Sequence, residues 1–216
     1  MNNLCIFAGG LGSRLRGTEN VPKPLLSIGS STLITLVIQD FAKLGFFDTF
    51  TILTCIDGSL YQELISKDLT SLSVNLLVEP VRSGRLGAVK YFFDHASCDY
   101  SYFCNADTLF DSLSSFMPAE NHYQLARHPV VYLADPDATR DDYKSVFVPQ
   151  STTPYQNSGL FAMHKDWFSA NYGSCAGTDI DNILLCADPL GYILLNTSIM
   201  DIGTPDRLRQ LRGMFA

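Results

Sequence analysis

The sequence predicts an α/β fold in a single domain covering residues 1–216, and three observations lead there. Short β-branched and aromatic runs alternate with longer amphipathic segments, the pattern of a sheet assembled from βαβ units. A glycine-rich turn follows directly on the first apolar run. With 216 residues and 46% hydrophobic side chains, the chain is long enough for one well-buried core and too short for two enzyme-sized domains.

Residues 4–8, Leu-Cys-Ile-Phe-Ala, read as the first strand, and the glycine-rich turn occupies residues 9–17. Pro22-Lys23-Pro24 predicts an extended stretch, because two prolines disfavour a helix there. Leu33, Leu36, Val37, Phe41 and Leu44 recur at helical spacing over residues 32–44, with Gly45 as the stop. Strands are expected at residues 49–55, 74–78, 100–105 and 130–133, and helices at 60–65 and 86–93. Pro149, Pro154 and a Ser-Thr-Thr cluster predict a loop over residues 148–157. A strand at 159–163, a helix at 179–186, the segments 192–195 and 200–205, and a terminal helix at 206–212 complete the chain.

A net charge of -7 argues against nucleic acid or an anionic membrane as partner, since both attract basic surfaces. The longest apolar stretches stop well short of the roughly 20 residues that cross a bilayer. Residues 1–3 carry no basic segment and no cleavage pattern follows, so a cytoplasmic location is expected. The six cysteines, Cys5, Cys55, Cys98, Cys104, Cys175 and Cys186, form no CxxC pair and no zinc-ligand spacing, and they read as reduced core side chains.

Gly9-Gly10-Leu11-Gly12-Ser13-Arg14-Leu15-Arg16-Gly17 sits after the first strand, at the sheet edge that normally receives a ligand. Glycines let backbone N–H groups approach phosphate oxygens, and Arg14 and Arg16 add charge. Leu15 stands where the dinucleotide fingerprint needs glycine or alanine, and Thr18 stands where a P-loop needs lysine, so a nicotinamide oxidoreductase and a P-loop enzyme are both disfavoured. A purely structural glycine turn remains open for the loop taken alone.

Val21-Pro22-Lys23-Pro24-Leu25-Leu26 follows a few residues downstream. The combination of Gly-Gly-x-Gly-Ser-Arg-Leu with Pro-Lys-Pro resembles the signature of the sugar-nucleotide nucleotidyltransferase family. Flanking prolines would present Lys23 as a fixed cation with few core contacts, aimed at negative charge developing on phosphorus; otherwise it is a solvated loop charge. Asn105-Ala106-Asp107-Thr108 and Met200-Asp201-Ile202-Gly203-Thr204-Pro205 resemble the two acidic segments of the same family. That resemblance implies that Asp107 and Asp201 hold a catalytic Mg²⁺, an ion that prefers hard oxygen ligands. Read by itself, Asp107 serves equally well as the cap of a following helix.

The resemblance extends over nearly the whole chain. It implies a Rossmann-like three-layer mixed sheet of the nucleotide-diphospho-sugar transferase type. It also implies nucleotide contacts at Ala8, Gly9, Gly10, Gly12, Ser13, Glu79, Gly84 and Gly87, with Arg14 and Lys23 as the catalytic cations and Asn157, Gly159 and Asp179 lining the acceptor site. In Glu79-Pro80-Val81-Arg82-Ser83-Gly84-Arg85-Leu86-Gly87-Ala88 the family's glycine pattern is altered, and Arg82 and Arg85 read as exposed surface charges. The Glu-Lys-Pro tripeptide that commonly meets the acceptor phosphate is missing, and Lys144 lies off pattern. The wording and short length are most similar to heptose 1-phosphate guanylyltransferases and their cousins. The implied activity transfers a nucleoside monophosphate from a nucleoside triphosphate to a sugar 1-phosphate or similar phosphorylated metabolite, with release of pyrophosphate, in sugar-nucleotide and polysaccharide biosynthesis. A nucleotide-sensing domain without turnover is the alternative, supported by the missing tripeptide. Homo-oligomerisation is left open.

Overall fold

The computed structural model describes residues 1–10, 12, 15, 21–119, 128–135, 145–146, 155–172, 179–184 and 191–215. The chain forms two compact units, the first from Met1–Arg82, Asn105–Leu109 and Met200–Ala216, the second from Ser83–Cys104 and Phe110–Ile199.

In the first unit β1 (Asn3–Phe7), β4 (Thr49–Thr54) and β5 (Val74–Val78) are parallel, with Cys5 beside Thr51 and Ile52 beside Leu76. Every residue of β4 is buried, as expected of a strand covered on both faces. Helix α1 (Leu33–Ala42) starts where the Thr32 hydroxyl accepts from the Thr35 amide at 3.4 Å. It buries Leu33, Ile34, Val37, Ile38 and Phe41, and the chain turns away at Gly45, whose φ is 63°. Helix α2 (Gly58–Asp68) is capped by Asp57 and buries Tyr61 and Leu64.

A short hairpin of β2 (Ser27–Ile28) and β3 (Ser31–Thr32) precedes α1. The terminal helix, α6 (Pro205–Met214), opens on a proline whose missing N–H costs nothing in the first turn, behind the Thr204 cap. Leu15, Leu26, Ile28, Leu33, Ile202, Leu208 and Leu211 close into one apolar cluster. Burying each such side chain contributes about 1.5 to 3 kcal/mol, and together they anchor the loops around the N-terminal turn.

The second unit carries α3 (Gly84–His95), β6 (Tyr100–Asn105), β8 (Val130–Ala134), β9 (Ser145–Val146), β10 (Tyr155–His164), α4 (Lys165–Tyr172), α5 (Asp181–Leu184) and β11 (Gly191–Leu194). Strand β10 runs antiparallel between β6 and β8, and β11 is parallel to β8. Phe103 stacks on Phe161 at 5.1 Å and meets Phe92 edge-on at 5.2 Å, which locks α3 onto the sheet.

The observed architecture is the α/β class with a mixed sheet, and several elements differ from expectation. Lys23–Leu25 is a single 3-10 turn rather than an extended stretch, because proline is tolerated in the first turn of a helix. Strand β10 begins at Tyr155, so Asn157 lies inside a strand; its register shifts between Asn157 and Phe161, where Gly159 has φ 75°. Asp107 is followed by β7 (Thr108–Phe110) and not by a helix, which removes the cap reading. β7 pairs with β12 (Ile199–Asp201); three-residue strands are too short to show a period. Residues 148–154 of the expected loop lie outside the described residues.

Among the described residues no helix is long and apolar enough to cross a membrane. Among the described residues Cys5, Cys55, Cys98 and Cys104 form no disulfide; Cys175 and Cys186 lie outside the described residues. Burial pushes the Cys98 thiol above its ordinary range, assisted by the charge of Asp99.

Candidate active site

In the first unit the carboxyl edge of β1, β4 and β5 gathers the head of the glycine-rich turn. The Ala8 amide donates to the Leu53 carbonyl at 2.8 Å, and the Glu79 amide to the Thr54 carbonyl at 2.7 Å. The Tyr61 hydroxyl donates to the Ala8 carbonyl at 3.1 Å, and the Cys55 thiol to the Gly9 carbonyl at 3.3 Å. Burial raises the Tyr61 phenol to about 12, so it stays a neutral donor at ordinary pH.

The glycines of this turn are required for different reasons. A Cβ on Gly9 would lie 3.1 Å from both the backbone nitrogen and the sulfur of Cys55, whereas one on Gly10 would meet nothing within 4 Å among the described residues. Gly12 has φ 57°, and its Cβ would lie 3.2 Å from the Lys23 Cβ. Gly9 therefore serves the chain's own packing and Gly12 its turn and its approach to Lys23, while packing imposes no such demand at Gly10. Ser13 and Arg14 lie outside the described residues, as do Arg16 and Lys144.

Lys23, Asp107 and Asp201 come together. The Lys23 ammonium is hydrogen-bonded to Asp107 Oδ2 and lies 3.6 Å from Asp201 Oδ1. The Lys23 side chain is only 10% exposed, against 29% for Asp107 and 21% for Asp201. Lys23, expected to have few core contacts, is held by these two carboxylates, which a charge this far from water needs. The backbone sets the meeting. The Ala106 amide donates to the Phe7 carbonyl at 3.2 Å, the Ile202 amide to the Asp107 carbonyl at 2.9 Å, and Ile202 itself is fully buried.

Two carboxylates that share one ammonium converge on a single cation-sized position. Their oxygens are the hard donors that Mg²⁺ takes when substrate phosphates and water supply its other ligands. The residues therefore fit such an ion. No group of three or more His, Cys, Asp or Glu side chains with metal-site geometry exists among the described residues, so the protein's share would be these two carboxylates.

The acceptor-side residues expected from sequence cluster in the second unit. Arg85 Nη2 donates to Asp179 Oδ1 at 2.6 Å and to Asp181 Oδ2 at 2.5 Å. Asn157 Nδ2 donates to Asp181 Oδ1 at 3.3 Å, and the Gly159 amide to Asn157 Oδ1 at 2.9 Å. Burial works to lower the Arg85 guanidinium's proton affinity, but the charges of Asp181 and Asp179 outweigh it and the net shift is upward. Arg85 is thus not the exposed surface charge expected, since its side chain is 28% exposed and doubly paired; Arg82 is exposed. Gly84 has φ 74° at the start of α3, and a Cβ on Gly87 would collide with the Ser83 hydroxyl oxygen.

Sequence reasoning missed Arg85 and Tyr61 as members of these sites. The departure of Arg85 from the family's glycine pattern was the available signal for the first. Tyr61 gave none, as a tyrosine on an amphipathic helix is usually core.

Residues 4–147 match the model of the family described as nucleotidyl transferase. No curated protein matches the chain. Among solved structures, the inositol-1-phosphate CTP transferase from T. maritima is similar at TM-score 0.79 and 16% identity, covering 100% of this chain and 96% of that one. A Bacillus anthracis structure in complex with sucrose, assigned as a glucose-1-phosphate thymidylyltransferase, is similar at TM-score 0.75 and 19% identity, covering 100% and 95%. HddC from Yersinia pseudotuberculosis, complexed with GMP-PN, is similar at TM-score 0.70 and 16% identity, with 100% of both chains covered. These likenesses show a shared Rossmann-like α/β fold. The family match spans well over half of the sequence and includes the glycine-rich turn, Lys23 and Asp107, and on that ground the chain belongs to the nucleotidyl transferase family.

Proposed function

We propose that the chain is an enzyme that transfers a nucleoside monophosphate from a nucleoside triphosphate to a sugar 1-phosphate or similar phosphorylated metabolite, as one catalytic domain acting in the cytoplasm. The observation that carries this reading is the convergence of Lys23, Asp107 and Asp201 beside the glycine-rich turn. An acceptor phosphate oxygen attacks the α-phosphorus, the bond to the bridging oxygen breaks, and pyrophosphate leaves with that electron pair. No covalent bond to the protein forms. Catalysis of this kind is positioning and charge stabilisation, which is the work for which a clustered cation, two carboxylates and a glycine-rich turn are suited.

In this reading the turn at Gly9, Gly10 and Gly12, with Ser13 and Arg14, receives the triphosphate, and Glu79, Gly84 and Gly87 contribute to nucleotide binding. Lys23 supplies positive charge to the phosphates. Asp107 and Asp201 would hold Mg²⁺, which when bound neutralises phosphate charge. Asn157, Gly159 and Asp179 take the acceptor. The inositol 1-phosphate and glucose 1-phosphate named for two structural neighbours support a phosphorylated polyol as acceptor.

The test is a screen of the four common nucleoside triphosphates against a panel of sugar and cyclitol 1-phosphates, with pyrophosphate release as the readout. One pairing should release pyrophosphate only when both substrates and Mg²⁺ are present. Nucleotide binding with no release for any acceptor would favour the sensing domain instead.

A further inference from the structure

We infer that Arg85 is a positioning residue of the acceptor site, holding Asp179 and Asp181 so that the site receives the hydroxyl-bearing part of the acceptor and not its phosphate. The inference rests on the proposed nucleotidyl transfer and names the part of the acceptor that this cluster takes.

Four side chains form a chain of contacts, Asp179 to Arg85 to Asp181 to Asn157, that links separate parts of the second unit. Arg85 comes from the first turn of α3, Asp179 from the turn just before α5, Asp181 from its first position, and Asn157 from β10. Both short contacts of the guanidinium use Nη2. Arginine has five N–H donors, and among the described residues Nε and Nη1 have no partner. Asp179 is 44% exposed and Asp181 only 16%. Asp181 is thus the enclosed carboxylate of the network and Asp179 the more exposed one.

Charge decides what the network binds. One guanidinium and two carboxylates sum to one negative charge, so a phosphate brought here meets two carboxylates for a single cation. A hydroxyl group meets no such penalty. It donates to a carboxylate oxygen and accepts from an N–H, and this site offers both side by side. Adjacent hydroxyls on a sugar or cyclitol ring match that pairing. Without Arg85, Asp179 and Asp181 would repel one another and the exposed Asp179 would leave its place, so Arg85 acts through the two aspartates as well as through its own N–H, and not on the reacting phosphorus.

The test uses the full chain with the acceptor that releases most pyrophosphate in the screen above. Arg85→Met should raise the acceptor KM about tenfold, the size of one lost hydrogen bond to a charged group, and leave the triphosphate KM within about twofold. Arg85→Lys should recover part of the loss, and Asp179→Asn, at a more exposed position, should reproduce it if Arg85→Met melts too low to assay. Inorganic phosphate competing against the acceptor should inhibit wild type and Arg85→Met equally. An unchanged acceptor KM, or a rise in both KM values together, overturns the positioning role. Weaker phosphate inhibition in Arg85→Met would make Arg85 the phosphate anchor and overturn the hydroxyl assignment. Failure of wild type to turn over any acceptor refutes the underlying enzymatic reading instead, so the two failures are distinguishable.

Discussion

The backbone amide of Ile202 donates to the carbonyl of Asp107 at 2.9 Å, which ties the strand ending in Asp201 to the turn carrying Asp107. Because Ile202 is fully buried in the apolar cluster beneath α6, the approach of the two carboxylates is set by packing rather than by whatever cation lies between them. Lys23 occupies that position through its own ammonium.

Removing Lys23 should therefore have two opposite effects. In metal-free buffer Lys23→Met leaves two partly buried carboxylates facing each other, and melting should show a loss of about 1 to 3 kcal/mol, less than for a fully buried pair because both aspartates keep some solvent. Mn²⁺ binding without nucleotide, followed by electron paramagnetic resonance, should tighten, since the competing ammonium is gone. Pyrophosphate release should fall about a hundredfold or more. Weaker Mn²⁺ binding in the variant would contradict the shared position.

Asp201→Asn keeps the shape and removes one charge, so the fold should hold while metal-dependent turnover drops. Asp107→Asn and the double variant should then look alike, because residues that act as a unit give strongly non-additive losses. Rate losses that simply multiply would count against a shared ion.

The glycines separate packing from binding. Gly9→Ala pushes a Cβ against the Cys55 backbone at 3.1 Å and should cost about 1 to 3 kcal/mol of stability. Gly10→Ala meets nothing within 4 Å among the described residues, so its melting should shift by less than about 0.5 kcal/mol while triphosphate affinity falls. Isothermal titration of both variants beside their melting curves checks the contrast.

Alkaline pH should expose Tyr61. Burial raises its phenol from 10.0 to about 12, so its contribution is fully present below the unfolded value near 10 and is lost as pH climbs toward 12. At roughly 1.4 kcal/mol per unit, about 2 to 3 kcal/mol disappears across that window. Tyr61→Phe should flatten this part of the stability profile and cost about 1 kcal/mol at neutral pH through the lost bond to the Ala8 carbonyl. An unchanged alkaline slope would show that other tyrosines, such as Tyr102, also raised to about 12, carry the whole effect.

Much of the architecture was legible in the chain itself. Strands β5 and β6 lie at residues 74–78 and 100–105 as expected, since runs of β-branched and aromatic residues between turn formers leave few alternatives. Helix α1 was equally readable from its apolar stripe and from Gly45. The amphipathic signal of α4 is weaker, with only Trp167 and Phe168 buried, and no period betrayed it.

What the sequence determined alone was the set of residue types able to do phosphate chemistry and their places at strand ends, because glycine freedom, proline geometry and apolar periodicity act over a few neighbouring residues. It could not determine which charges meet. That Lys23 is held by Asp107 and Asp201, and that Arg85 is drawn in by Asp179 and Asp181 instead of lying in solvent, was decided by tertiary structure. Coulomb attraction and desolvation depend on distance and burial in space, and those are set by how Ile202, β10 and α3 pack, far along the chain from the charges they bring together.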